Sequence, residues 1–405
     1  IHESNPWGIK FSAMLHMAND SSLFHTSPGP GLVPLYEAKL IHQFDHRFAT
    51  FDPALAKRAG DSEAAGTRDT TDAEKADPNF AVRPRYWVDA REVIARLADA
   101  PASVIRAWLA NDAADLRTAL EAPGMEPDLA SLARASNLLE AVGQALERRC
   151  PKWLMGWRNI CRSTDETSIV IDVFPAYGIG NSLPLILFSK KISATKASLF
   201  LSNQISIVQN YIARNKIGGT NFNFFYMKQL PILPPEAYTP EDIAFIAPRV
   251  FELTWTAYDI AGWAEDLWDS MDTSERALVL GAHRTNLLAS KGTQNPYTFI
   301  KPELLPAPND SLLANSFDTT MLPPFVFLPQ RRAYIRAELD AYYARLYGLS
   351  RDDLRYILDP QDLMGPYYPS ETFRVLKEKE IARYGEYRTR RLVLEAYDKL
   401  VQEKL

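Results

Sequence analysis

Two cysteines, Cys150 and Cys161, are all that 405 residues contain. They cannot build a disulfide framework or supply the four ligands of a structural zinc site, so a reducing, cytoplasmic setting is the expectation. No apolar run approaches the roughly 20 residues of a bilayer span, and no membrane partner is expected. The first residues lack the basic-then-apolar layout of a secretory leader. There is no Walker loop, no Gly-x-Ser-x-Gly elbow, no setting for a cysteine nucleophile and no internal repeat. The chain starts at Ile1 rather than Met, within what reads as an ordered segment, and is expected to be a piece of a longer protein.

The most informative absence is acidic charge. From Val173 to Pro235 there is no Asp or Glu, although the whole chain carries a net charge of −5. The same interval holds Lys190, Lys191, Lys196, Arg214, Lys216 and Lys228, and Arg148, Arg149, Lys152, Arg158 and Arg162 lead into it. A basic island in an acidic protein is the electrostatic footprint of a phosphate-binding surface.

What remains is ordinary for a globular protein of two or three domains, with 46% apolar and 23% charged residues. Residues 52–82 are small, polar and without hydrophobic period, which reads as a mobile surface loop. Residues 91–149 are Ala-rich with Leu and Ile at helical spacing, broken at Pro101 and at Pro123-Gly124. Thr167–Phe174 is β-branched and aromatic, a strand by composition, and Leu183–Phe188 is a second. Ser193–Lys216 reads as one helix with the stripe Leu201, Ile205, Val208 and Ile212 in the core, stopped by Gly218-Gly219. An aromatic helix over 243–269 precedes a Pro-rich stretch near 302–329. The last residues are helical again, with Ile335, Leu339, Tyr342 and Leu346 as the apolar stripe, Ser350 as a cap and Asp359-Pro360 as a stop.

Several short motifs invite chemistry. Gly178-Ile179-Gly180 follows a strand carrying Asp172, but a strand-like run follows instead of a helix, so a turn between strands is favoured over a cofactor loop. His42 and His46 have the spacing of two metal ligands on a helix, yet no third ligand suggests itself, which favours structural roles. Glu37 and Lys39 have the Glu-x-Lys spacing of many nucleases without an evident partner acid. Asn5-Pro6-Trp7 lacks the second proline of an Asn-Pro-Pro-aromatic loop and is given no catalytic role.

Gly218-Gly219-Thr220-Asn221-Phe222-Asn223, followed by Lys228-Gln-Leu-Pro-Ile-Leu-Pro-Pro235, resembles the end of a target recognition domain in specificity subunits of type I restriction enzymes. It is also similar to the C-terminal region of large adenine-N6 DNA methyltransferases of type II, type IIG-like or phage-defence systems. The second resemblance extends to Pro34–Arg47, Tyr86-Trp87-Val88, Trp157–Thr167, Leu339–Gly348, Leu354–Pro360 and Gly385–Arg391. The family's S-adenosylmethionine loop and Asn-Pro-Pro-aromatic motif are absent. The resemblance therefore implies the recognition half of such an enzyme, not catalytic alone, with S-adenosylmethionine belonging to a catalytic domain or subunit elsewhere.

The resulting expectation is a mixed α/β (α+β) recognition domain over 84–235 with a helical insertion at 91–149. A linker over 1–83 precedes it, and a helical and irregular spacer over 236–330 and a helical segment over 331–405 follow. Double-stranded DNA is the expected partner. Arg158, Arg162, Lys190, Lys191, Arg214, Lys216 and Lys228 are the phosphate candidates, and Asn181, Ser182, Asn221 and Asn223 are candidate readers of base edges. Reversing several of these charges is expected to abolish binding without unfolding the protein. The rival readings are a protein–protein adaptor subunit and a metal-dependent nuclease using Glu37 and Lys39.

Overall fold

A computed structural model describes residues 5–55, 66–161, 165–293, 295 and 322–403. Strands β1 (Lys10–Ser12) and β2 (Leu32–Tyr36) lead to a ribbon of β3 (Ala49–Phe51) and β4 (Thr67–Asp69), then to helix α1 (Asp72–Ala76) and β5 (Tyr86–Asp89). A helical excursion follows, α2 (Ala90–Leu97), α3 (Ala102–Leu109), α4 (Ala113–Leu120), α5 (Pro127–Ser131) and α6 (Leu138–Arg148). The chain returns as β6 (Trp153–Trp157), β7 (Ile171–Pro175), β8 (Gly178–Ile179) and β9 (Leu185–Leu187). Helices then dominate: α7 (Ala194–Ile205), α8 (Ile207–Lys216), α9 (Phe224–Gln229), α10 (Pro240–Thr254), α11 (Ala261–Ser270) and α12 (Thr273–Ser290). The closing group is α13 (Pro329–Leu346), α14 (Arg351–Leu358), α15 (Gln361–Met364), α16 (Arg374–Tyr384) and α17 (Arg388–Gln402). With 53% helix and 12% strand, the class is mixed α/β.

The larger sheet, ordered β1-β9-β6-β7, is antiparallel throughout. Side chains alternate across a strand, so the sheet feeds two cores. Met155, Trp157, Ile171, Val173 and Ile186 face the helical core, while Leu154, Phe174 and Leu185 face a second core with Leu35, Tyr36, Val88 and Ile179. That second core includes the small sheet β5-β2-β8, in which β2 runs antiparallel to β5 and parallel to β8. The 91–149 insertion closes a core of its own around Val104, Trp108, Leu116, Leu120, Val142 and Leu146.

Several sequence expectations need revision. Residues 56–65 and 296–321 lie outside the described residues, but the rest of 52–82 is built in rather than a loose loop. Thr71 and Glu74 form a capping box on α1, and buried Lys75 places its ammonium 2.5 Å from Asp45. The single helix expected over 193–216 breaks at Ser206, whose backbone (φ −59°, ψ 156°) is extended. Its hydroxyl caps α8, and the Asp340 carboxylate accepts the Ile207 amide at 2.7 Å. Leu201, Ile205 and Val208 are buried as expected. The polar side of α7 is buried as well: Ser202 meets the Tyr343 hydroxyl at 2.8 Å and Asn203 accepts from Tyr347 at 2.9 Å. The 236–330 stretch contributes the centre of the main core through Phe245, Val250, Phe251, Trp255 and Trp263. Its aromatic helix divides after Thr254, where guanidinium groups take main-chain carbonyls. Ser350 and Asp353 form a capping box, and Gly385 (φ 76°) separates α16 from α17.

Those guanidinium groups hold the layers together. Arg47, 1% exposed, donates to the carbonyls of Asp77, Phe80, Lys75 and Thr256 at 2.8–3.0 Å. Arg332 donates to Leu253 and Phe44 at 2.7 and 2.6 Å. Arg249 pairs with Glu338 at 2.7 Å, and Arg331 pairs with Glu252. Removing Arg47 strands four carbonyls and the neighbouring acids. Arg47→Met is expected to cost at least about 3 kcal/mol in urea unfolding, with little recovered by Arg47→Lys, whose single ammonium cannot span the four acceptors. A loss below about 1 kcal/mol would refute the clamp.

Candidate nucleic-acid interface

Three loops meet at one end of the larger sheet. The Asn159 amide donates to the Ser182 carbonyl at 3.0 Å, the Phe222 amide to the Asn159 carbonyl at 2.6 Å, and the Cys161 amide to the Thr220 carbonyl at 3.0 Å. Ile160 bridges Asn221 in antiparallel fashion. Asn181 and Ser182 are thereby placed on one side of residues 159–161, with Asn221 and Asn223 on the other. Three of the four also hold the backbone. Asn181 accepts the Met17 amide and Ser182 the Ala38 amide, both at 3.3 Å, while Asn223 caps α9 by accepting from Phe225 and Tyr226. Asn221 is exposed.

Helix α9 is bolted to the sheet by aromatic contacts. Trp157 donates its indole N–H to the Phe222 carbonyl at 2.7 Å, and Phe11 lies edge-on to Trp157 and stacked on Phe224. Phe225 (66% exposed) and Ile160 (61%) are left as an apolar ledge on this edge. Lys216, at the end of α8, and Lys228, on α9, are exposed at either end of the loop that carries Asn221.

The other basic candidates divide sharply. Arg158 donates from Nε to the Ile41 carbonyl at 2.8 Å and lies 5.3 Å from the Phe48 ring; burial holds its pKa down to about 10. Arg214 donates to the Thr372 and Asp165 carbonyls beneath Phe373, and burial likewise holds it to about 10. Reversing either charge would strand buried carbonyls, so the expectation of lost binding without unfolding does not extend to these two. Lys190 and Lys191 are exposed on the loop after β9, and Lys190 pairs with Asp99 at 2.7 Å in a solvent-screened contact. Arg162 lies outside the described residues.

Behind this edge lies a cavity of about 540 Å³. A smaller one of about 310 Å³ shares His42, Glu166, Thr167 and Lys379 with it and reaches Ile160. Arg336, on the floor, donates to the Gln43 carboxamide oxygen at 2.6 Å. Burial, with the charges of Arg158, Arg336 and Lys75, lowers His42 well below its ordinary value, leaving it neutral. Burial pushes Asp340 up to about 6. Sequence reading missed this cavity because its lining comes from five distant stretches. The local signals are Arg336 and Asp340, one turn apart on α13, and Lys379, Glu380, Arg383 and Tyr384 on α16.

The tempting motifs have structural places. Trp7 is fully buried, donating to the Leu233 carbonyl at 3.0 Å. His46 meets Asp259 at 2.8 Å, and residues 42–45 form a tight turn rather than a helix. Glu37 pairs with Lys39 at 3.7 Å. Gly178 is a close approach, since a Cβ there would lie 2.4 Å from Val88. Among the described residues no group of three or more His, Cys, Asp or Glu could hold a metal ion, and no helix is long and apolar enough to cross a membrane.

The raised Asp340 pKa makes stability pH-dependent. The folded chain takes up this proton at a pH where the unfolded chain, with an ordinary value of 3.8, does not. The stabilisation is complete below the ordinary value and is lost as pH rises through about 6. Asp340→Asn keeps an acceptor for the Ile207 amide and removes that loss. It is expected to gain about 1–3 kcal/mol over wild type between about pH 4.5 and about pH 7.5 in urea titrations. A pH-independent difference would overturn the assignment. No protein-family model, curated protein or solved structure matches this chain.

Proposed function

We propose that the chain is a DNA recognition module, the part of an adenine-N6 DNA methyltransferase of a restriction-modification or phage-defence system that grips double-stranded DNA and reads its site. The observation that carries this reading is the acid-free run from Val173 to Pro235, which exposes Lys190, Lys191, Lys216 and Lys228 and gathers Asn181, Ser182, Asn221 and Asn223 around Ile160. Long lysine side chains neutralise phosphates without demanding one geometry, and carboxamides on short loops suit base edges in the major groove. Methylation of an adenine requires the base outside the duplex, so holding the flanking DNA is a task for a separate module. In this reading S-adenosylmethionine and the transfer itself belong to a catalytic domain or subunit, and the setting is cytoplasmic. The resemblances at 34–47, 157–167 and 218–235 support the same reading.

The exposed Ile160 and Phe225 favour a second reading, an adaptor whose apolar ledge docks on a partner subunit. Binding of a fluorescent duplex pool across a salt series separates the two. A DNA surface gives an affinity that falls steeply with salt. Lys216→Glu with Lys228→Glu is expected to weaken binding at least tenfold and to flatten the log–log slope by about 0.9 for each phosphate no longer neutralised. Asn221→Ala is expected to change which sequences are selected more than the overall affinity. Binding that ignores salt, or that survives the double charge reversal intact, would sink the DNA reading and leave the adaptor.

A further inference from the structure

The cavity between the 42–43 turn, α13 and the α16–α17 pair is organised for a ligand that the recognition surface does not use. Its carboxylates are largely committed. Glu380 accepts the Thr389 amide and hydroxyl, both at 2.7 Å, Glu166 pairs with Lys379 at 2.7 Å, and Asp340 accepts the Ile207 amide. Its arginines are not matched in the same way. Arg383 and Arg388 lie over Tyr384, at 5.3 and 3.9 Å from the ring centroid, and neither forms an ion pair among the described residues. The Arg388 Nε is buried without a hydrogen-bond partner. Arg336 adds a third guanidinium from the floor.

A guanidinium fork matches the oxygens of a phosphate, and an aromatic ring beneath it holds the fork in place before the ligand arrives. About 540 Å³ is within the range of small-molecule sites. We propose that this cavity binds the terminal phosphate of a nucleotide-sized ligand through Arg336, Arg383 and Arg388. Two sources offer that chemistry, a free nucleotide and the 5′-phosphorylated end of a DNA strand. The proposal does not depend on the recognition surface, whose lysines lie elsewhere.

Calorimetric titration of the whole chain with adenosine 5′-monophosphate, adenosine, and a hexanucleotide with and without a 5′-phosphate tests it. The phosphorylated member of at least one pair is expected to bind tenfold or more tighter than its unphosphorylated partner. A preference confined to the mononucleotide pair assigns a free nucleotide, and one confined to the oligonucleotide pair assigns a strand end. Arg383→Ala and Arg388→Ala are each expected to abolish the preference, while the melting temperature of the ligand-free protein and its affinity for duplex DNA stay near wild type. Lys216→Glu with Lys228→Glu is expected to leave the preference unchanged. No preference in either pair, or a preference that survives both arginine substitutions, would overturn the proposal.

Discussion

The fold depends on burying arginine and satisfying it with carbonyl oxygens. Arg47 ties the 75–80 segment to Thr256, and Arg332 ties Leu253 to Phe44, so the turn at 42–48 is gripped from both sides. That turn then sets what lies beyond it. Gln43 donates its carboxamide to the Ile169 and Ile205 carbonyls and receives Arg336 on its oxygen. One side chain thus joins the approach to β7, the end of α7 and the middle of α13. A planar fork with several donors can serve carbonyls from separate segments at once, which an ammonium cannot.

Burying so much positive charge demands nearby acid. Asp45 takes Lys75, and Glu252 and Glu338 take Arg331 and Arg249. The acid-free run from Val173 to Pro235 is the counterpart of this arrangement. Its one arginine, Arg214, is satisfied by main-chain carbonyls, and its exposed cations are lysines. Within this run the guanidinium serves an internal joint and the ammonium groups serve the surface, which is the division that side-chain desolvation favours for carbonyl clamps and screened phosphate contacts.

The elements legible in the sequence were those set by local chemistry. The helical insertion, the β7 and β9 strands, the Ser350 cap and the stop at Gly218-Gly219 follow from periodicity, capping and turn residues, and all appear. Elements set by distant partners were not legible. The break at Ser206 needs Asp340 on another helix, the buried polar side of α7 needs Tyr343 and Tyr347, and the structured part of 52–82 needs Asp45 and Arg47 to hold Lys75 and its neighbours. Composition marked 173–235 as basic, but burial decides what each cation can touch, and burial is a property of the fold. Arg158 and Arg214 look like Lys216 and Lys228 in the sequence and occupy the opposite kind of environment in the structure.

Convergence of the loops is the clearest case of tertiary information. Asn181-Ser182 and Asn221–Asn223 are separated by a strand and two helices, and the register of β6 against β9, the main-chain bonds of residues 159–161 and the bridge from Ile160 to Asn221 bring them to one edge. The same Ile160 borders the smaller cavity, which adjoins the larger through Glu166 and Lys379. The wall shared by the two cavities thus includes an exposed ion pair, whereas the floor of the larger one carries the Gln43–Arg336 contact. An exposed ion pair gives way at small cost, whereas a buried guanidinium–carboxamide contact does not, so the shared wall is the softer of the two boundaries.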